Sequence, residues 1–347
     1  MRRSGARSRG PATWRRRERP RLRGLPVCIR GTASLLPGRP VSTRALAQAA
    51  LPDRDPAELE ARTGITTRYW ADRDAPLPEL AADALGRAIA DAGVAPAALR
   101  RIIVANCTGA ELAFPGSANR VAEALGLSGR CDAFDVNNAC MGFLTALDLA
   151  ARTAATGGGP VGVVAIELCS RHVRPEDPRP YLVFADGVGA AVVDAARGGA
   201  RIVASYLAND GALGGNAILR NPTLTGKPEF IEFPKSHAQM TEIALGKVQA
   251  AADAVLMQAG LRIGDVDWVL PHQPNGSMYA HIVEALGVDP ARTVKIVDEV
   301  GSVGSASIPI SLDRLRRTRG WSPGQHVLMV GVGSGVSYGA ILYRVGT

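Results

Sequence analysis

Short apolar runs alternate along the chain with stretches whose Leu, Ala and Val fall at helical spacing, and polar, glycine-bearing loops separate them. "RIIVAN" (101–106), "AFDV" (133–136), "VGVVAIE" (161–167) and "DGVGAAVV" (186–193) read as strands. "RVAEALGL" (120–127) reads as a helix stopped by Gly126, and the Leu/Ala pattern after Cys140 predicts another from about Met141 to Ala155. The order then returns. "HIVEALGV" (281–288) repeats "RVAEALGL" at an offset of 161, half of the 322 residues from 26 to 347. "DWVLPHQ" (267–273), "HVLMVGV" (326–332) and "SGVSYGAIL" (334–342) answer the first, third and fourth strand runs in the same order. Such repetition predicts duplication of one folded unit. Strands alternating with helices predict an α/β architecture, with residues 26–195 as one half and 196–347 as the other. Two such halves pack about a pseudo-twofold axis, and loops at equivalent strand ends meet at its centre, where a shared site belongs.

Composition narrows the class. The chain has 347 residues, 46% hydrophobic and 21% charged, enough to bury one large or two modest cores. Only 5% are aromatic, while Ala and Gly abound, which suits tightly layered helices on sheets. No window approaches 18 uninterrupted apolar residues, so no membrane-spanning helix is expected. The net charge of +8 comes from residues 1–25, where ten arginines face one glutamate; the remainder is close to neutral. That stretch lacks aromatic interleaving beyond Trp14, an apolar helical stripe and the apolar segment of a signal peptide. It reads as a disordered extension or as the product of a misplaced start codon, and neither nucleic acid nor membrane is an expected partner. Five cysteines (28, 107, 131, 140 and 169) with no CxxC pair point to reduced thiols and a cytoplasmic protein.

Candidate chemistry lies where the loops converge. The first half contributes "NNAC" (137–140) and "NCTGAELAFPG" (106–116). The second contributes "PHQPNGS" (271–277), "EVGSVGSAS" (299–307) and "GVGSG" (331–335). Cys140 falls at the first turn of a helix, where unpaired N–H groups and the helix dipole favour the thiolate that attacks a thioester or carbonyl carbon. His272 can move a proton near neutral pH. A glycine-rich turn can aim bare N–H groups at a developing oxyanion. The bland alternative makes Cys140 a core filler, as Cys28, Cys107, Cys131 and Cys169 are read, buried and inert in or beside strands. His172, His281 and His326 read as structural or exposed, and His237 as lying near a substrate mouth. "DGVGA" and "GVGSG" sit inside strand patterns without the strand-to-helix context of a dinucleotide loop. No His, Cys or carboxylate cluster has metal-ligand spacing.

Seven segments in order carry a family resemblance: "RTGITTR" (62–68), "FPGSANRVAEALGL" (114–127), "FDVNNACMGF" (134–143), "FADGVGAAVV" (184–193), "VDWVLPHQPN" (266–275), "GSVGSASIPISL" (301–312) and "GVGSGVSYGA" (331–340). With them the chain, from about 26 to 347, resembles the ketoacyl synthase III-like condensing enzymes of the thiolase superfamily. The resemblance implies a thiolate-based acyltransferase with a duplicated αβαβα five-layer sandwich, usually a homodimer. It implies thioesters of CoA or acyl carrier protein as substrates, and no cofactor. Cys140 takes the place of the acylated cysteine and His272 that of the catalytic histidine. The third catalytic position, an asparagine in the family, is Ser302 here, a shorter side chain with one donor in place of two. The backbone N–H groups of Cys140 and Ser334 take the oxyanion-hole positions. Arg62, Arg68 and Arg171 fall where the family has basic residues near the CoA mouth, Asn275 is retained for the substrate arm, and Phe114 lines the tunnel from the partner subunit. The family's tryptophan before Arg62 is Glu58 here, read as solvated, and an asparagine at the pantetheine arm falls on Ala238.

Three functions follow from this set. The first is decarboxylative Claisen condensation of an acyl-CoA or acyl-carrier-protein donor with a malonyl-type extender, giving a β-ketoacyl thioester in fatty acid or polyketide biosynthesis. The second keeps the acyl-enzyme but passes the acyl group to a hydroxyl or amine, with His272 as general base. The third is a non-catalytic partner subunit of a synthase, against which the intact Cys140 and His272 speak.

Overall fold

The computed structural model describes residues 24–347. The arginine-rich extension assigned to 1–25 lies outside them except for its last two residues, of which Leu25 already bonds through its backbone to Ile202 (2.8 and 3.0 Å).

Eleven strands form among the described residues. They are β1 (Val27–Leu35), β2 (Arg39–Ser42), β3 (Thr67–Trp70), β4 (Arg101–Ala105), β5 (Asp132–Val136) and β6 (Val161–Leu168). The rest are β7 (Asp186–Ala195), β8 (Arg201–Asn209), β9 (Trp268–Pro271), β10 (His326–Gly333) and β11 (Ser337–Arg344). One sheet has the order β1-β7-β6-β4-β5 and the other β8-β11-β10-β9, while β2 and β3 pair separately. In both large sheets a parallel core pair, β4 on β6 and β9 on β10, is extended by antiparallel neighbours. The place of β5 is taken in the second sheet by a single parallel bridge between Val269 and Thr293. The four segment pairs that repeat in the sequence occupy equivalent strands and helices of the two sheets, so the duplication is physical.

Five layers result. All eight residues of β6 are buried between two helical layers, an apolar run broken only by Glu167. The helix Leu77–Ala92 covers the outer face of the first sheet with a stripe of Leu77, Ala81, Leu85, Ala88 and Ile89, and Gly93 ends it at φ +61°. The helices Gly142–Ala155 and Ser307–Thr318 lie between the sheets. There Phe143, Leu147, Ile308 and Leu312 join Val163 and Met329 in one core, each worth about 2 kcal/mol of transfer free energy. Ala146, Ala150 and Ala154 keep the first of these helices close to its sheet. The helices His237–Ala259 and Gly276–Ala285 cover the far face through Val248, Val255 and Ile282. The order helix, sheet, helix, sheet, helix is the duplicated sandwich that the family resemblance implies, in agreement with the repeat in the sequence. Its central helical layer carries both site loops.

Candidate active site

Cys140 stands between β5 and the helix Gly142–Ala155, on a turn the sequence fixes in several ways. Ala139, immediately before it, is the single non-glycine residue with positive φ (+46°) among the described residues. Such a strained position persists only where its surroundings hold it. Here Met141 N donates to Asn138 O (3.0 Å), Gly142 N to Ala139 O (2.9 Å), and Asn138 Nδ2 to Thr145 Oγ1 (2.9 Å). Glycine is needed on both flanks. A Cβ on Gly142 would come within 3.1–3.2 Å of Ala105 and Ser305, and one on Gly333 would press on the backbone nitrogens of Cys140 and Met141 at 3.3 and 3.4 Å. The turn bearing Ser334 therefore packs directly on the cysteine.

His272 follows β9, its N–H on Val330 O (2.8 Å). The next residue, Gln273, is buried with every polar atom engaged. Its Nε2 donates to Val294 O (2.7 Å) and Ser311 Oγ (3.2 Å), its Oε1 accepts from Ile296 N and Val297 N, and its N–H donates to Ser307 Oγ. Gln273 thus clamps the histidine loop to the 294–311 segment that carries Ser302. Ser302 itself is locked by its backbone, Ser302 N to Val183 O (3.0 Å) and Ala185 N to Ser302 O (2.8 Å).

Cys140 from the first half and His272, Ser302 and Ser334 from the second open onto one cavity of about 480 Å³. Its walls are apolar, with Leu51, Leu59, Leu182, Phe184, Phe233 and Met240 among them. Burial governs the charges. The Cys140 thiol is pushed up to about 12, first by desolvation and then by the Glu167 carboxylate. Burial and the neighbouring carboxylate thus oppose the thiolate expected from the helix end, and in the free protein the thiol is protonated. The His272 imidazole is pushed down to about 4 by burial, so it is neutral at neutral pH. Its Nδ1 is buried without a partner, which leaves Nε2 as the nitrogen open to the cavity.

The other expected site residues divide. Arg62 and Asn275 line the cavity; Asn275 caps the helix Gly276–Ala285 through Oδ1 (2.8 Å to Met278 N), which leaves its Nδ2 free to donate. Arg68 is corrected to an interior residue. It is fully buried on β3, its Nη2 donates to Thr43 Oγ1, and burial lowers its pKa to about 10. Arg171 also stays away from the cavity, bound to Glu111 and the Ala75 carbonyl. Phe114 is 89% exposed and does not enter its own chain's cavity. Glu58 pairs with Arg54 (2.6 Å) on the surface, as a solvated residue does. Ala238 does not reach the cavity, whereas its neighbour His237 does, together with Asn216, Arg179 and Phe233. Asn216 and Phe233 come from irregular chain and Arg179 from the four-residue helix Pro178–Tyr181, stretches too short or irregular for apolar periodicity to mark them. Among the four remaining cysteines only Cys169 is fully buried, but desolvation raises the thiol pKa of all four. No helix among the described residues is long and apolar enough to cross a membrane, and no group of three His, Cys, Asp or Glu residues among them is placed to hold a metal.

Two family models match the chain: 3-oxoacyl-[acyl-carrier-protein] synthase III over residues 134–211 and the C-terminal part of the same family over 256–345. The chain is 34% identical over 330 residues to a beta-ketoacyl-[acyl-carrier-protein] synthase III of Desulfitobacterium hafniense, covering 92% of this chain and 97% of that one. It is likewise 34% identical over 320 residues to one of Rhizorhabdus wittichii, covering 90% and 98%. Among solved structures, 3-oxoacyl-[acyl-carrier-protein] synthase III of Aquifex aeolicus superposes with a TM-score of 0.85 at 28% identity, over 92% of this chain and all of that one. The priming β-ketosynthase of the R1128 polyketide pathway superposes with 0.82 at 29% identity, over 92% and 97%. The layered fold is thus thiolase-like.

Proposed function

The chain belongs to the 3-oxoacyl-[acyl-carrier-protein] synthase III family of acyltransferases, and from that membership we propose that it performs decarboxylative Claisen condensation through an acyl thioester on Cys140. The Cys140 sulfur attacks the carbonyl of an acyl-CoA or acyl-carrier-protein donor. The donor thiol departs with the proton that Cys140 gives up, and the acyl group stays on the enzyme. A malonyl-type extender then loses CO2, and the enolate carbon attacks the acyl carbonyl. The Cys140 thiolate leaves and takes up a proton, and the β-ketoacyl thioester is released toward fatty acid or polyketide synthesis.

The cavity's electrostatics support this sequence. A thiol pushed up to about 12 rests neutral and its thioester is neutral too, so the acylated state holds no buried charge at this position. A neutral His272 can donate from Nε2 to the enolate oxygen without first gaining a proton, and Ser302 would supply a second donor. The backbone N–H groups of Cys140 and Ser334 are proposed as the oxyanion hole. Arg62 and Asn275 are proposed to hold the substrate's phosphopantetheine arm. We further propose a cytoplasmic homodimer in which the partner's Phe114 closes the cavity, since a large apolar ring fully in solvent calls for cover. No cofactor is required, because thioester exchange needs none.

The observation that carries the reading is the meeting of Cys140, His272, Ser302 and Ser334, drawn from both halves, on one apolar cavity. Ser302 also favours a second reading, in which weaker enolate stabilisation leaves an acyltransferase to a hydroxyl or amine. One reaction separates them: an acyl-CoA panel with malonyl carrier protein, followed by mass spectrometry of the carrier. The first reading requires β-ketoacyl carrier, absent with Cys140→Ala and reduced about tenfold with Ser302→Ala. An acylated enzyme beside untouched malonyl carrier protein, with transfer to an added alcohol or amine, replaces it with the second.

A further inference from the structure

Glu167, next to last on β6, is completely buried, and no cation among the described residues faces its carboxylate. Burial raises its pKa above the usual carboxylate range. Such a group is costly unless donors surround it, and here they come from two loops of opposite halves. Oε2 accepts from Cys107 N (3.2 Å), with Cys107 Sγ (3.2 Å) and Thr108 Oγ1 (3.4 Å) beside it. Oε1 accepts from Ser305 Oγ (2.5 Å). Gly304, at φ +50°, leaves the space for this contact, since a Cβ there would lie 3.0 Å from Glu167 Cγ. Ser305 in turn rests on Gly142, 3.2 Å from where that residue's Cβ would be, two residues beyond the nucleophile. A continuous path of contacts therefore runs from β6 through Glu167 and Ser305 to the Cys140 turn. Ser302 rides on the same loop.

We propose that Glu167 is a positioning residue for the condensing step: it holds the loop Gly301–Ser307, and Ser302 with it, in register with the Cys140 turn. An apolar side chain could fill the same volume but could not receive donors from both loops. Acylation draws on Cys140, the oxyanion hole and the substrate-arm residues, whereas condensation also needs His272 and the Ser302 loop in place. Loss of the carboxylate therefore falls on the second step. This inference rests on the condensing reading above. It also places a negative charge beside the thiol, which a neutral replacement removes.

The test uses full-length Glu167→Gln and Glu167→Ala. Three readouts are taken: the rate of Cys140 acylation by acyl-CoA, the rate of β-ketoacyl carrier formation, and alkylation of Cys140 by iodoacetamide at fixed alkaline pH, mapped by peptide mass. In Glu167→Gln, which keeps one acceptor oxygen, condensation falls about tenfold while acylation stays within about threefold. In Glu167→Ala condensation falls about a hundredfold, again with acylation largely spared. Alkylation at Cys140 rises at least about threefold in Glu167→Gln as the thiol is released from the neighbouring charge. Equal loss of both steps marks a merely structural residue and overturns the proposal, as does unchanged condensation in either variant. Unchanged alkylation overturns the placement of the charge beside the thiol. Should Glu167→Ala fail to fold, Glu167→Gln decides alone. A wild-type enzyme that never condenses defeats the condensing reading instead, and the alkylation comparison still judges the Glu167 contact.

Discussion

At the scale of single residues, burial sets the charge of both Cys140 and His272, and the imidazole shows the cost. Its folded pKa of about 4 lies below its ordinary value of 6.5, with desolvation as the cause. The unfolded chain therefore binds a proton at higher pH than the folded one does. The contribution is fully present above pH 6.5 and is lost as pH falls toward 4. The size is about 3 kcal/mol. Denaturant unfolding of wild type and His272→Asn between pH 4 and pH 7.5 checks this: the wild type loses about 3 kcal/mol more than the variant over that range. Equal slopes would mean that the imidazole is solvated. Cys140 and His272 were legible because each stands in a local pattern, an apolar run ending in a polar loop. Their charge states were not. A helix end can be read from sequence, whereas desolvation depends on walls supplied by residues a hundred positions away. Arg62 and Arg68 make the same point. They lie six residues apart in one motif, yet Arg62 reaches the cavity, while Arg68, paired across the β2–β3 ladder with Val41, points into the interior.

At the scale of elements, the cavity wall depends on two helices whose ends approach each other glycine against glycine. A Cβ on Gly276, at the start of the helix Gly276–Ala285, would lie 2.6 Å from Gly64 Cα and Gly64 O. Gly64 is the C-cap of the helix Pro56–Thr63. The first helix is flanked by Asn275 and carries Met278, and the second carries Leu59 and Arg62, all on the cavity. Gly276→Ala leaves helical propensity intact but forces the helices apart. It should destabilise the protein by about 2 kcal/mol and raise KM for the acyl donor with less effect on kcat. A stability change under about 0.5 kcal/mol would show that the contact can relax. The elements themselves were mostly legible, because continuous apolar runs are strong in strands such as β6 and helical periodicity is strong in helices such as Leu77–Ala92. The segment from 210 to 236 was not. It supplies Asn216 and Phe233 to the cavity from short turns and irregular chain, where no periodicity reports which side faces in.

At the scale of the whole molecule, the repeat at 161 residues made the duplicated sandwich readable, since each repeated run became an equivalent strand or helix. What covers the surface was less accessible. β5 is an edge strand, and Leu112 (49% exposed) and Phe114 precede it in the chain. An unpaired edge beside exposed apolar side chains invites a second copy. Light scattering on the full chain should give twice the mass of one copy, and Phe114→Asp should weaken the pair; a wild-type monomer at micromolar concentration would contradict the proposed dimer.

The central claim is that Cys140 carries the acyl group, and intact-protein mass spectrometry after incubation with acyl-CoA and acyl carrier protein donors tests it most directly. The account predicts one acyl mass gained per chain, located on the peptide containing Cys140 and absent from Cys140→Ala. An unmodified wild-type mass across the donors, or an adduct that survives in Cys140→Ala, would contradict it.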